Sequence, residues 1–413
     1  MLETNMNWKR NVTLFLVSQT VSLFGSSLVQ YAIMWYITIN TQSGVMMTIS
    51  IICGFLPTFF LSPFAGVWAD RYNRKKLIMI SDSSIALSTL LLAILFLMGY
   101  DAIWLLFVVS AIRALGTGIQ TPAVSSFLPQ LVPGDKLTKV NATYSSIQSL
   151  VMLVSPMLSG ALLTLASIES IFFIDVITAA IAVLILLFYL KVPAHAKALQ
   201  KQDLSYFEDM KKGFVYIKDH AYVKTFFIFS AVFMILATPV AFLTPLQVTR
   251  SFGNDVWRLT AIEMTFSIGM MAGGIIMASW GGFKNKVHTM VLSSFAIGIC
   301  TFALGLIPIF WIYLLVMAFS GLTMPFFNTP STVMLQQKVE ESYLGRVFGV
   351  FSMIASSMMP LGMLVFGPLA DIIRIEWLLI GTGLLMVVQS LFMLGNNVLI
   401  KAGAPAPEVE VKP

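Results

Sequence analysis

Long apolar stretches alternate with short polar ones along the whole chain. A helix crossing the hydrocarbon of a bilayer needs about 20 mostly apolar residues. Twelve runs meet that requirement, at approximately 11–38, 45–69, 77–99, 102–124, 142–166, 169–190, 224–248, 257–280, 287–308, 310–335, 347–372 and 376–400. The pattern predicts an all-α polytopic membrane protein with twelve transmembrane helices. The longest polar stretch, 191–223, falls after the sixth run. It divides the chain into an N-terminal six-helix bundle (1–190), a cytoplasmic linker (191–223), a C-terminal six-helix bundle (224–400) and a disordered cytoplasmic tail (401–413). Within the linker, Leu204, Phe207, Met210, Phe214 and Ile217 recur at helical spacing. They predict an amphipathic helix on the inner membrane surface, a linker with some packing being the other reading.

Composition agrees with lipid as the solvent. The 413 residues are 58% hydrophobic and 11% charged, against roughly 25% charged in soluble chains. The net charge of +6 does not point to nucleic acid, because the basic residues are scattered through short loops rather than gathered on one patch. Their distribution instead sets orientation. With the N-terminus inside, 21 of the 25 Lys and Arg fall in inner segments and three in outer loops, the last being Arg113 within the fourth run. The positive-inside rule then places both termini in the cytoplasm. The eight tryptophans all fall near a run's end, as in an aromatic belt. Cys53 and Cys300 sit inside apolar runs and read as small hydrophobes, not as a disulfide. The run from Val12 to Ile39 is too long for a cleavable signal and lacks a small-residue cleavage site.

Several residues carry candidate chemistry. Arg113 is an always-charged group at membrane depth, which is costly and marks function by default; a static Arg satisfying backbone carbonyls is the alternative. The carboxylates inside the runs are Asp82, Asp175 and Glu263. Each lies about five or six residues, roughly 8–9 Å, from a run's end, so each is either a proton carrier or an interface-facing side chain. Gln19 and Gln30 are eleven residues apart on one helical face. With Tyr31 and Gln148 they are candidates for a substrate path, or for hydrogen bonds between helices. The 25 Met and 32 Phe suggest an apolar, deformable cavity, or merely apolar spans. No Gly-Lys dipeptide occurs, which excludes a phosphate-binding P-loop and an ATP-driven pump of that type. The three histidines show no metal-ligand spacing and no nucleophile–base constellation stands out, so neither an enzyme nor a cofactor is expected.

The two halves carry a faint repeat. Thr121-Pro122, at the end of the fourth run, recurs as Thr329-Pro330, at the end of the tenth, an offset of 208. Leu137-Thr138-Lys139-Val140 recurs as Leu344-Gly345-Arg346-Val347, an offset of 207. The 208 offset carries Arg113 onto Gly321, so the second half has no matching arginine.

Same-direction repeats of six spans resemble the major facilitator superfamily, whose halves rock around a midplane site. The loop Gly66-Val67-Trp68-Ala69-Asp70-Arg71-Tyr72-Asn73-Arg74-Lys75-Lys76 resembles that family's signature Gly-x-x-x-Asp-Arg-x-Gly-Arg-Lys, with Asn73 in place of the second glycine. The resemblance implies a cytoplasmic gate in which Gly66, Asp70, Arg71, Arg74 and Lys75 latch against the start of the eleventh span, at Arg346. A charged loop with no gating role is the alternative. Arg113-Ala114-Leu115-Gly116-Thr117-Gly118 resembles the family's Arg-x-x-x-Gly motif and implies proton coupling. Ser155-Pro156-Met157-Leu158-Ser159-Gly160 matches the antiporter motif Gly-Pro-x-x-Gly-Gly only at Pro156 and Gly160, a helix-packing element. Within the superfamily the chain is similar to the bacterial macrolide-efflux group of drug:proton antiporters. That similarity implies export of a small lipophilic molecule, macrolides first, in exchange for protons, with a siderophore or lysolipid as the alternative cargo. It implies a monomer among membrane lipid in the bacterial inner membrane, with no nucleic acid partner and with room to work beside other efflux components.

Overall fold

In a computed structural model, residues 8–133, 136–190, 215–340 and 343–404 are described. Twelve helices among them are long and apolar enough to cross a membrane. They are α1 (Trp8–Thr41), α2 (Gly44–Arg71), α3 (Arg74–Leu97), α4 (Ile103–Leu131), α5 (Leu137–Leu165) and α6 (Ile168–Leu184), the last closing in a π-turn over Ile185–Tyr189. Then come α7 (Ala221–Thr238, continued through a π-turn over Pro239–Leu243 into Thr244–Ser251), α8 (Val256–Trp280), α9 (Lys286–Leu304), α10 (Phe310–Lys338), α11 (Leu344–Ile372) and α12 (Ile375–Gly395). A short α13 (Asn397–Gly403) follows. Helices dominate because hydrocarbon offers the backbone no partner, so each N–H and C=O must be satisfied within its own segment.

The helix ends differ from the apolar runs where proline misled. The Thr121-Pro122 and Thr329-Pro330 pairs, expected to end spans, lie inside α4 and α10. Bundled helices keep going through proline because neighbours and hydroxyl side chains re-satisfy the freed backbone. Trp35 also departs from expectation. It is 0% exposed, packed in the protein interior rather than at a lipid–water boundary.

The chain separates into two compact units. Unit 1 comprises Met1–Gln42, Ile49–Leu204 and Asp255–Thr260; unit 2 comprises Ser43–Thr48, Ser205–Asn254 and Ala261–Pro413. In unit 1, α1 packs on α4, α5 and α6, and α3 packs on α4 and α6. In unit 2, α9 packs on α10 and α12, and α7 on α11 and α12. Most of the amphipathic linker reading (Leu204, Phe207, Met210, Phe214) lies outside the described residues. Its last position, Ile217, is buried with Tyr216 in the unit 2 core, so this end is packed in protein rather than laid on a membrane.

The halves repeat each other closely. Helices α4 and α10 are 29 residues each, beginning at 103 and 310 and ending at 131 and 338, an offset of 207. Helices α5 and α11 keep that offset, starting at 137 and 344. Asn73 explains the departure from the signature loop: its side chain caps α3 by accepting from Lys76 N at 3.2 Å. Asn285 caps α9 in the same way, accepting from Val287 N at 3.0 Å. An extended N-cap with a side-chain acceptor is what asparagine supplies and glycine cannot.

Candidate functional site

Among the described residues, unit 1 buries three charged side chains. Arg113 projects from α4, Asp175 from α6 and Asp82 from α3. The carboxylates are 0% and 1% exposed for Asp175 and Asp82. The interface-facing reading of these two is therefore overturned. Distance from a helix end measures depth along the membrane normal; it does not tell whether a side chain faces lipid or the bundle.

Arg113 Nη1 contacts Asp175 Oδ2 at 2.5 Å and Thr89 Oγ1 at 2.5 Å, and Nη2 donates to Ser26 O at 3.0 Å. Ser26 Oγ donates to Asp175 Oδ1 at 3.2 Å, and Thr89 Oγ1 lies 3.0 Å from Asp175 Oδ2. A buried ion pair persists only when further hydrogen bonds satisfy both partners, and these hydroxyls do so. Gly25 makes the geometry possible. A Cβ there would strike Thr178 Oγ1 and sit 3.0 Å from Asp175 Cα, so only glycine lets α6 close on α1. Gly116 plays the same part between α4 and α3, where a Cβ would fall 2.6 Å from Ile85 Cγ1.

Asp82 has no ion-pair partner among the described residues. Its Oδ1 accepts from Ser22 Oγ at 2.8 Å and from Gln120 Nε2 at 2.6 Å, while its buried Oδ2 has no partner among the described residues. Gln120 also lines a cavity of about 450 Å³ within unit 1, inside the roughly 300–1,000 Å³ range of small-molecule sites. Gln19, Tyr144, Asn141 and Gln148 line it too, and none of its lining residues is charged, Met or Phe. The described lining of this cavity is mainly hydroxyls and amides rather than Met and Phe.

The remaining sequence candidates fall elsewhere. Gln30 and Tyr31 are not among the cavity's lining residues; Gln30 shares a face with Gln19, but eleven residues of helix separate the two by about 16 Å. Glu263, on α8 in unit 2, is half-buried and has no hydrogen-bond or ion-pair partner among the described residues. The side chain of Asp70 lies outside the described residues. Arg74 Nε donates to Ala69 O at 2.9 Å, Lys75 Nζ to Leu190 O at 2.8 Å, and Arg346 lies over the Tyr343 ring. Arg71 is exposed, and the Cβ position of Gly66 is open. Pro156 lies inside α5, and a Cβ on Gly160 would approach Trp35 at 3.2 Å. The adjacent Ser159 donates to Leu28 O at 3.0 Å, so this segment fastens α5 to α1. Sequence reasoning missed Ser22, Ser26, Thr89 and Gln120. Gln120 was findable: seven residues after Arg113, it lies within about 20° of the same helical face.

Unit 2 has no such charged set at the repeated positions. By helix register Ser294, Ser320 and Thr382 stand where Asp82, Arg113 and Asp175 do, and all three are buried. The register of α4 and α10 carries Arg113 onto Ser320, one residue short of Gly321. Gly321 itself serves packing: a Cβ would strike Phe266 O of α8.

Residues 15–363 match the sequence profile of the Major Facilitator Superfamily. The chain belongs to this superfamily. Members are transporters, and the chain is a multi-pass membrane protein of that fold. Macrolide efflux protein A of Streptococcus pyogenes is 29% identical over 400 residues, covering 96% of this chain and 98% of that protein. The protein of the same name from Enterococcus faecalis is 30% identical over 323 residues, 78% of this chain and 99% of that one. The staphyloferrin A transporter of Staphylococcus aureus is 24% identical over 94% of this chain and 98% of its own. Among solved structures, the D-xylose-proton symporter superposes with a TM-score of 0.69 at 13% identity, over 95% of this chain and 99% of that one. The nucleoside transporter NupG gives 0.67 at 18% identity, over 94% of this chain and 99% of that one.

Proposed function

We propose that this superfamily member is a proton-driven exporter of lipophilic, oxygen-rich drugs, macrolides foremost, working by alternating access as a monomer in the bacterial inner membrane. Its two six-helix bundles are joined by the linker 191–223, and both termini are cytoplasmic. The observation that carries the proposal is the charge asymmetry of unit 1. Three charges are buried in it, one of them, Asp82, bonded to the cavity-lining Gln120, with hydroxyls at the repeated positions of unit 2. Ionisable groups at membrane depth that face the bundle interior are the usual components of proton relays. Asp175 is held by Arg113, whereas Asp82 has only neutral donors. Asp82 is therefore the proton carrier, with the Arg113–Asp175 pair as fixed charge alongside. Glu263 is a second acid, serving the unit 2 side. The loop at Asp70, with Arg71, Arg74, Lys75 and Arg346, forms the cytoplasmic gate.

Relatives named for macrolide efflux along nearly the whole chain favour a macrolide cargo. A siderophore cargo has one relative in its favour. A polycarboxylate chelator fits less well, since no cation is among the described residues that line the unit 1 cavity. The test is accumulation of radiolabelled macrolide in a bacterial host lacking its own efflux pumps. Expression should lower accumulation, and a protonophore or Asp82→Asn should restore it. Accumulation unchanged by expression overturns drug export; export insensitive to the protonophore overturns proton drive.

A further inference from the structure

Asp82 and the unit 1 cavity meet at one side chain, Gln120. Its Nε2 donates to Asp82 Oδ1 at 2.6 Å, it lines the cavity, and its Oε1 accepts no hydrogen bond among the described residues. Gln19 lines the same cavity, is 3% exposed, and has an Nε2 with no partner among the described residues. A buried amide without a partner is costly unless something else satisfies it. Both observations point to a ligand rich in hydrogen-bonding oxygen.

We infer that Gln120 is a relay between cargo and proton: its amide turns over when Asp82 is protonated, changing the group it offers the cavity from acceptor to donor. The inference rests on the proton-coupled export proposed above. An ionised carboxylate only accepts, so the amide must present Nε2 to it and leave Oε1 for the cavity. In that state a hydroxyl of the cargo can donate to Gln120 Oε1. The chain cargo–Gln120–Asp82 is then polarised in one direction, which strengthens each bond. Protonation on Oδ1 turns Asp82 into a donor that needs an acceptor. A half-turn about the last side-chain torsion, which has a broad two-fold profile, supplies Oε1 with little movement of the heavy atoms. The cavity now meets Nε2, and the cargo hydroxyl loses its acceptor. Cargo and proton exclude each other, which is the linkage that exchange requires.

Among the described residues, the other titratable or charged groups acting on Asp82 leave this switch to Gln120. Asp175 of α6 is the charged one, and it is already paired with Arg113. From α5 comes the neutral hydroxyl of Tyr144, and from α1 the hydroxyl of Ser22. The cargo implied is a hydroxyl-bearing molecule, recognised through its O–H groups.

The test is equilibrium binding of a radiolabelled hydroxylated macrolide to the full chain in lipid nanodiscs from pH 5 to 8. For the wild type, affinity should tighten by up to about tenfold per pH unit as Asp82 ionises, then level off. Gln120→Met should give a flat profile, about two- to tenfold weaker at high pH, the loss of one hydrogen bond. Gln120→Leu should behave alike, guarding against a fault of one variant. Asp82→Asn should also be flat, since its amide does not titrate. A pH-linked profile that persists in both Gln120 variants overturns the relay alone. Absent macrolide binding, or wild-type binding indifferent to pH, overturns the relay together with the reading beneath it.

Discussion

The ion pair between Arg113 and Asp175 allows a quantitative prediction. Replacing Arg113 by Met keeps length and removes the charge. Asp175 would then hold only Ser26 Oγ at 3.2 Å and Thr89 Oγ1 at 3.0 Å, at 0% exposure. The N–O contact of 2.5 Å places the charge centres about 4 Å apart, for roughly 4 kcal/mol of attraction at an effective dielectric near 20. Removing one partner of a buried pair costs about 3–5 kcal/mol, most of it from the stranded charge. The double variant Arg113→Met/Asp175→Asn strands nothing and should recover at least about 2 kcal/mol of that loss. Thermal unfolding in detergent micelles, followed by tryptophan fluorescence, is the assay. For bundles of this size the single variant should melt roughly 6–20 °C lower, with partial recovery in the double. Macrolide export should be absent from both, because restored packing does not restore the charges. Additive losses in the double variant would refute the pairing, and full export by Arg113→Met would make Arg113 purely structural.

Three further outcomes follow from particular contacts. Gly25→Ala drives a Cβ into Thr178 and the Asp175 backbone; it should cost about 1–3 kcal/mol of stability by overpacking, seen as a lower melting temperature. Gln247→Leu removes the acceptor of the Tyr313 hydroxyl and the donor to Leu304 O, bonds of 2.9 and 3.0 Å in the unit 2 core. Each orphaned group should cost about 1–3 kcal/mol, and adding Tyr313→Phe should recover part of the lost melting temperature. Asp371 accepts from Ser43 Oγ, Gly44 N, Val45 N and Arg250 Nη2, all within unit 2. Asp371→Ala should therefore cost about 0.5–2 kcal/mol, the scale of a lost N-terminal cap, and hydrogen exchange should quicken in the first turn of α2.

The span layout was legible because a bilayer imposes one length and one polarity on every crossing segment. All twelve runs overlap helices of the structure. Errors came where local rules meet tertiary context. Pro122 and Pro330 looked like helix ends and are helix interiors. Trp35 sits six residues from the end of α1, as a belt residue would, yet it points into protein. Of the site, Arg113 stood out at once, since one charge in an apolar run is visible without any partner. Its pairing with Asp175, 62 residues away, was not, because periodicity assigns a face to a side chain and never names the facing helix. The hydroxyls of Ser22, Ser26 and Thr89 were hidden for another reason. In a helix such groups usually bond their own backbone, as Ser18 does to Phe15 O and Thr38 to Met34 O, so composition alone cannot single out those that reach across.

The most direct measurement uses the full chain reconstituted in liposomes with a pH-sensitive dye inside. A macrolide is added under an imposed proton gradient, to wild type and to Asp82→Asn. Proton-coupled export through Asp82 predicts macrolide-triggered proton movement in the wild type and none in the variant. Equal proton movement in both would remove Asp82 from the coupling, and silence in the wild type would contradict proton-driven macrolide export altogether.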